Sequence, residues 1–418
     1  MSKHKATSLP SSGAHTLIAL FTSMVLLIMG NAFQGLLLPI AGSAYGFSAF
    51  SLGVLGAAYF VGYAAGSLFA PFVIERVRHI RTFAAMGALA CCMVLLHVLW
   101  PNEFWWWFCR IITGFALACL YTVIESWVND TATPANRGRL MSMYMVLSFG
   151  ATVAGQMLLM FYTPTDWHGY VVIAVLLTLS VLPLTLSTRP QPVRRKANIP
   201  PFLELWHLAP AAVFGVVMVG MANGAFWSLG AVYGVQAGMS TAHTTLFVSL
   251  IVLAGALCQW PVGWFSDKFD RRVVLLGIFI AASSLGIALG LTPTQQSDNT
   301  PLIILGFLWG FAALGSYGVA VAHAFDRVPA KLVVQTSGAM LFLFGVGSVV
   351  GPLLAGLLMD KTGAGGLFLF TATAHGIGAV YLLVRLLLRS AATERTHFMP
   401  NTPIPLPYEQ PTNPDKAA

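Results

Sequence analysis

Apolar residues along this chain neither alternate with polar ones nor keep to one helical face. They run together for some twenty positions and then stop at short polar breaks. A helix needs about 20 such residues to cross roughly 30 Å of hydrocarbon. Continuous rather than alternating runs favour helices over a barrel. The pattern predicts spans at 15–38, 48–73, 82–99, 104–129, 139–162, 168–187, 207–235, 242–265, 272–291, 301–325, 333–358 and 364–388. The expected fold class is all-α and polytopic, with twelve transmembrane helices. Lys3 and Lys5 precede the first span as in a signal peptide. Its apolar stretch outlasts a signal core of about 7–15 residues and no small-residue cleavage site follows, so the span is read as retained.

Composition agrees. Of 418 residues, 57% are apolar and only 9% charged, against roughly a quarter charged in soluble domains. Too little polar surface remains to cover a water-soluble protein, so the bilayer is the expected solvent. The charges set an orientation. With the N-terminus inside, 20 of the 22 Lys and Arg residues fall on the inner side, leaving Arg110 and Lys361. Both termini are then cytoplasmic, in a bacterial-type inner membrane. The net charge of +8 reflects this topology, and no nucleic-acid partner is expected. Cys91, Cys92, Cys109, Cys119 and Cys258 all lie in predicted spans, are odd in number and lack metal-ligand spacing. They read as packing residues, with no metal or cofactor implied.

The basic, proline-containing stretch 188–206 divides a first six-helix bundle (15–187) from a second (207–389). Short tails at 1–14 and 390–418 flank them, the latter polar, proline-rich and expected to be disordered. The bundles repeat. Gly114, Phe115, Ala116 and Tyr121 match Gly310, Phe311, Ala312 and Tyr317 at an offset of 196, which Asp130 and Asp326, Ala151 and Gly347, and Gly155 and Gly351 preserve. Gln34-Gly35 and Asn223-Gly224 read as further equivalents. Two pseudo-symmetric bundles joined on the inner side suit a rocking transporter.

After the eighth span the chain reads Gly263, three residues, Asp267-Lys268, one residue, then Asp270-Arg271-Arg272. After the second span Pro71, Glu75, Arg76, Arg78, His79 and Arg81 hold corresponding places, with both glycines replaced. These loops resemble the signature of the major facilitator superfamily. Arg110-x-x-x-Gly114 resembles a second motif of that family. Gly347-x-x-x-Gly351-Pro352 resembles its antiporter motif, whose proline the first half lacks at Gln156. Glu125-Ser126, Arg137-Gly138-Arg139-Leu140 and Gln259-Trp260-Pro261 resemble the YcaD-like bacterial subgroup. The resemblance implies a gating latch at the inner rim built from Glu75, Arg76, Arg81, Asp130, Asp267, Lys268, Arg271, Arg272 and Asp326. Plain positive-inside charge is the alternative reading.

Intramembrane polar residues are the candidates for solute binding and coupling. Arg110, Gly114, Leu117, Tyr121 and Glu125 lie within about 80° of one another around the fourth helix. Glu125 is the one acidic residue of 14 inside a span and clear of the loops. It is either a proton carrier or the partner of Arg76 or Arg139. Asn31 and Gln34, Tyr59 and Tyr63, Asn223 and Trp227, Gln259 and Tyr317 complete the set, with interhelical hydrogen bonds or packing as the alternative. His323 and His375 read as packing residues. The expected function is secondary active, proton-coupled transport of a small organic solute by a monomer. Within the same fold, an uncoupled facilitator or a drug-type exporter is the alternative. A membrane enzyme would need clustered catalytic groups that the sequence lacks, and a non-transporting receptor is the remaining class.

Overall fold

Apolar runs with few breakers become long helices because in hydrocarbon each backbone polar group must find its partner within the segment. The computed structural model describes residues 11–133, 136–186, 202–295, 297–329 and 332–388. The terminal lysines, Arg189, the basic cluster 194–196, Lys331 and the proline-rich tail lie outside the described residues. The first half holds α1 (Ser11–Ala44), α2 (Ala49–Val77), α3 (His79–Leu99), α4 (Glu103–Thr131), α5 (Arg137–Met157), a 3₁₀ turn (Leu158–Phe161) and α6 (Trp167–Thr185). A short α7 (Phe202–Leu208) precedes the second half. There follow α8 (Pro210–Gln236), α9 (Thr241–Leu257), α10 (Gln259–Lys268), α11 (Arg271–Leu291), α12 (Thr300–Ala313), α13 (Ser316–Phe325), α14 (Val333–Thr362) and α15 (Gly366–Leu388). Among the described residues, twelve helical segments are long and apolar enough to cross a membrane. Two of them, the eighth and tenth, are broken, at Cys258 and at Leu314–Gly315. Large apolar side chains such as Phe69, Val146 and Trp260 stand exposed, as a lipid-facing surface requires.

Several helix starts carry side-chain caps. Ser48 accepts from Ser51 N at 3.0 Å, Asn102 from Phe104 N at 3.1 Å, and Ser240 from His243 N at 3.2 Å. The eleventh span runs to Thr362 rather than stopping near 358, so Asp360 and Lys361 lie on α14. Asp267 and Lys268 end α10 rather than sitting in a loop.

Glycine registers expose the repeat directly. A Cβ at Gly155 would overlap the carbonyl of Met29 on α1, and one at Gly351 that of Met221 on α8. Likewise Gly114 abuts the carbonyl of Tyr59 on α2, and Gly310 that of Ile251 on α9. In each case absence of a side chain lets two backbones touch. The glycines obey the offset of 196, but their partners differ by 192. Asn223 is therefore the counterpart of Asn31, not of Gln34, whose place the second half fills with Phe226. The shift arises because the connection between α11 and α12 is longer than that between α3 and α4. The two halves form one pseudo-symmetric fold.

The ends of the molecule differ. One, the basic end, carries Arg76, Arg78, Arg81, Arg139, Lys268, Arg271, Arg272, Arg327 and Arg385. Specific contacts between the halves lie towards the other. There Gly53 meets the Pro352 carbonyl, Gly56 meets Ser228, and a Cβ at Gly356 would lie 2.7 Å from the Ala49 carbonyl oxygen. Ser249 donates to Gln156 at 2.9 Å across the same divide.

Candidate functional site

The first half gathers a polar cluster in the middle of its helices. On α2, Tyr59 and Tyr63 are one turn apart and share a face, with ring centroids 6.0 Å apart. Tyr63 lies 6.3 Å from Tyr121 of α4. Asn31 of α1 points its amide at both neighbours, 3.5 Å from the Tyr59 hydroxyl and 3.4 Å from that of Tyr121. These are long contacts, at the outer limit of hydrogen bonding. Such groups can re-pair with a solute at small cost.

A charge flanks the cluster on each side. The Arg110 guanidinium lies 4.4 Å from the Tyr59 ring centroid, a cation–π contact. Arg110 is 7% exposed, and its Nη1 is enclosed with no hydrogen-bond partner. Glu125, 9% exposed, has Oε1 enclosed without a partner as well. It is close enough to Tyr63, Tyr121 and Tyr144 for electrostatic interaction with each. The two charges sit fifteen residues apart on α4, about 22 Å along its axis, and do not pair. Nor does Glu125 form an ion pair with Arg76 or Arg139; its neighbour Ser126 bonds His79 instead, at 3.1 Å. Tyr144 was not singled out in the sequence. Its one signal was the polar stripe Tyr144, Ser148, Thr152, at i, i+4, i+8 along α5.

Other candidates stay apart from this cluster. Gln34 is fully buried, with both amide atoms unpartnered. Asn223 is buried too, its Oδ1 unpartnered beside the α8–α14 contact. Trp227 is 39% exposed. Gln259 donates to the Gly255 carbonyl at 3.0 Å, serving the break between α9 and α10. Tyr317 packs edge-on to Phe344 at 5.1 Å. The buried histidines are anchored by backbone or core: His375 Nδ1 lies 2.8 Å from the Thr371 carbonyl.

At the basic end the latch set divides. Arg271, 1% exposed, pairs through Nε with Asp326 at 3.2 Å and through Nη2 with Asp267 at 3.4 Å. Arg272 forks onto Asp270 at 2.8 and 3.3 Å, while Asp270 also caps α11. Burial of the Asp270 carboxyl opposes its ionisation, but the hydrogen bonds and charge of Arg272 outweigh this and hold it below its ordinary value. Lys268 lies over the Trp264 ring at 3.9 Å. Glu75, Arg76, Arg81 and Asp130 are exposed. The pairs of Arg271 with Asp267 and Asp326, and of Arg272 with Asp270, all lie within the second half.

Comparison with known proteins decides the family. A model of the Major Facilitator Superfamily matches residues 20–293 and 212–407, which together cover nearly the whole chain. The chain belongs to the major facilitator superfamily. It is a membrane transporter of the YcaD-like group, not an enzyme. The uncharacterized MFS-type transporter YE1530 of Yersinia enterocolitica is 27% identical over 398 residues, covering 93% of this chain and 99% of its own. The uncharacterized MFS-type transporter YcaD of Salmonella arizonae is 30% identical over 379 residues, covering 89% and 95%. Among solved structures, the nucleoside transporter NupG superposes with a TM-score of 0.73 at 12% identity, covering 90% of this chain and 99% of its own. A bacterial homologue of the human lysosomal transporter Spinster gives 0.72 at 15%, covering 90% and 97%. At these identities the superfamily fold is shared.

Proposed function

We propose that this transporter moves a small organic solute by alternating access, coupled to protons through Glu125. Solute would sit between the halves against Asn31, Tyr59, Tyr63 and Tyr121. The observation that carries the reading is the buried Glu125 carboxylate among three tyrosines, with one oxygen unpartnered and no described cation paired with it. An uncompensated buried carboxylate is of high energy as an anion. A carboxylate so placed would take up a proton while enclosed and release it when a rearrangement of the halves brings it to water, which is what a proton carrier must do. Its repeat counterpart is Val321, so the shared fold does not need it.

Two further observations support the cycle. By the positive-inside rule, the basic end faces the cytoplasm and both termini lie there, in a bacterial-type inner membrane. Specific contacts described between the halves lie at the opposite, outer end, while at the basic end Arg271 and Arg272 pair with Asp267, Asp270 and Asp326 of their own half. These contacts support an inward-open state, in which Asp267, Arg271, Arg272 and Asp326 would form one half of a latch and Glu75, Arg76, Arg81 and Asp130 the other. Closure on the inner side would bring the two sets together.

The test begins with a thermal-shift screen of the purified protein to find a bound solute, since ligand raises apparent stability with occupancy. Uptake of that solute into proteoliposomes is then driven by an imposed pH gradient. Glu125→Gln is expected to abolish gradient-driven accumulation while solute–solute exchange continues. Accumulation that persists undiminished in the variant would remove Glu125 from the coupling mechanism, whereas a parent protein that equilibrates the solute without accumulating it would be an uncoupled facilitator.

A further inference from the structure

Arg110 is a buried cation for which no described residue supplies an anion. A guanidinium offers five N–H donors. No described residue hydrogen-bonds or ion-pairs with this one, which lies over the ring of Tyr59 at 4.4 Å. Nη1 is wholly enclosed. The acids on its own helix are out of reach. Glu103 lies seven residues towards the helix start and Glu125 fifteen residues the other way, about 10 and 22 Å along the axis. Packing does not demand the side chain, since Gly306 stands at the equivalent place in the second half. Left alone, such a charge destabilises the protein. Its retention calls for a counter-ion that comes and goes.

We infer that the transported solute is an organic carboxylate whose anionic group docks on Arg110. Geometry favours this chemistry. The guanidinium sits over the Tyr59 ring and its N–H donors are taken by no described residue, and such donors grip a carboxylate with two parallel hydrogen bonds. Around it the Asn31 amide and the Tyr59 hydroxyl, held only by 3.4–3.5 Å contacts, can supply further hydrogen bonds. The rings of Tyr59, Tyr63 and Tyr121 then line the body of the solute, which favours a planar or apolar one. The inference deepens the proposed central site: Arg110 takes the anion, while Glu125, well separated along α4, takes the proton.

The experiment uses the purified full chain in detergent, without membrane or gradient, so that it reads recognition independently of transport or coupling. Benzoate, phenylacetate, indole-3-acetate, hexanoate and octanoate are each compared with their own amide by thermal shift and by titration. At least one acid is expected to raise Tm while its amide does not. Arg110→Gln should weaken that acid more than tenfold, as loss of a charge-assisted pair requires, and Arg110→Lys, which keeps the charge and loses the fork, should weaken it less. With no ligand, Arg110→Gln should leave Tm unchanged or higher, because it removes an uncompensated charge; a purely structural arginine would give a lower Tm. If Arg110→Gln does not yield folded protein, its structural role overturns the inference unless Arg110→Lys weakens the acid with ligand-free Tm intact. Stabilisation by amides as readily as acids, by none of the acids, or equally by added anionic phospholipid would also overturn it. Failure of the Glu125→Gln uptake test alone would leave it standing, since that test concerns the proton.

Discussion

Arg78 holds a backbone conformation that glycine adopts without strain, with φ of 71° and ψ of 161°. It stands where the superfamily loop has its second glycine, so the structure supplies the physical reason for that glycine: the chain turns sharply between α2 and α3. In the second half the same place is Asp270, with φ of −59°, and the turn there is stabilised by the Asp270 cap and its fork with Arg272 instead. A non-glycine residue in the region of Arg78 costs about 1–3 kcal/mol. Arg78 is exposed and its side chain forms none of the described ion pairs. Arg78→Gly should therefore stabilise the protein, although part of the gain is offset by greater freedom of the unfolded chain. A rise of Tm in detergent checks this; a fall would mean that the side chain has a role at the rim. The sequence showed that both loop glycines were gone, but could not show that only one half still needed one.

At the scale of helices, α14 offers a controlled comparison. A Cβ at Gly351 would run into the Met221 carbonyl of α8, whereas nothing lies within 4 Å of one at Gly345. Gly351→Ala must push two helices apart and is expected to lower Tm, by an amount corresponding to at least the 1–3 kcal/mol typical of overpacking. Gly345→Ala should raise stability by about 0.5–1 kcal/mol through helix propensity. Equal effects at the two sites would refute the proposed backbone contact. The offset of these glycines was legible in the sequence, as were the twelve spans, because membrane burial demands long apolar runs and repeated close contacts demand repeated small residues. The partners on α1 and α8 were not legible, since a carbonyl carries no side-chain signature. That is how Gln34 rather than Asn31 was matched with Asn223. The breaks at Cys258 and Gly315 were hidden for a related reason, apolar sequence continuing on both sides of each. Of the candidate site, the stripe Arg110, Tyr121 and Glu125 was readable from helical periodicity. The convergence on it of Asn31, Tyr59, Tyr63 and Tyr144 from three other helices depends on packing, which no local pattern encodes.

For the whole molecule, a single carboxylate holds the most specific link between the halves. Asp360, near the end of α14, accepts from Ala49 N at 2.8 Å and Phe50 N at 3.1 Å. These are first-turn N–H groups of α2, which have no partner within their own helix, and the positive end of the helix dipole favours the anion. The bond exists only while the halves are together at this end, so it favours that state over one in which they part. Gly53, Gly56 and Gly356 make the same approach possible by lacking side chains. Hydrogen bonds to a charged group are worth about 1.5–3 kcal/mol. Asp360→Ala should thus shift the conformational equilibrium towards opening at the Asp360 end by roughly 10- to 100-fold, with little change in the chemistry of the central cluster. A cysteine at Tyr63, in a background with the five native cysteines replaced, reports the shift by its reaction with a membrane-impermeant maleimide. Labelling from the Asp360 side should rise by at least tenfold in Asp360→Ala, while labelling from the basic side falls. An unchanged ratio would mean that the apolar contacts between α2 and α14 close this end unaided, and that the carboxylate merely caps a helix that was already in place.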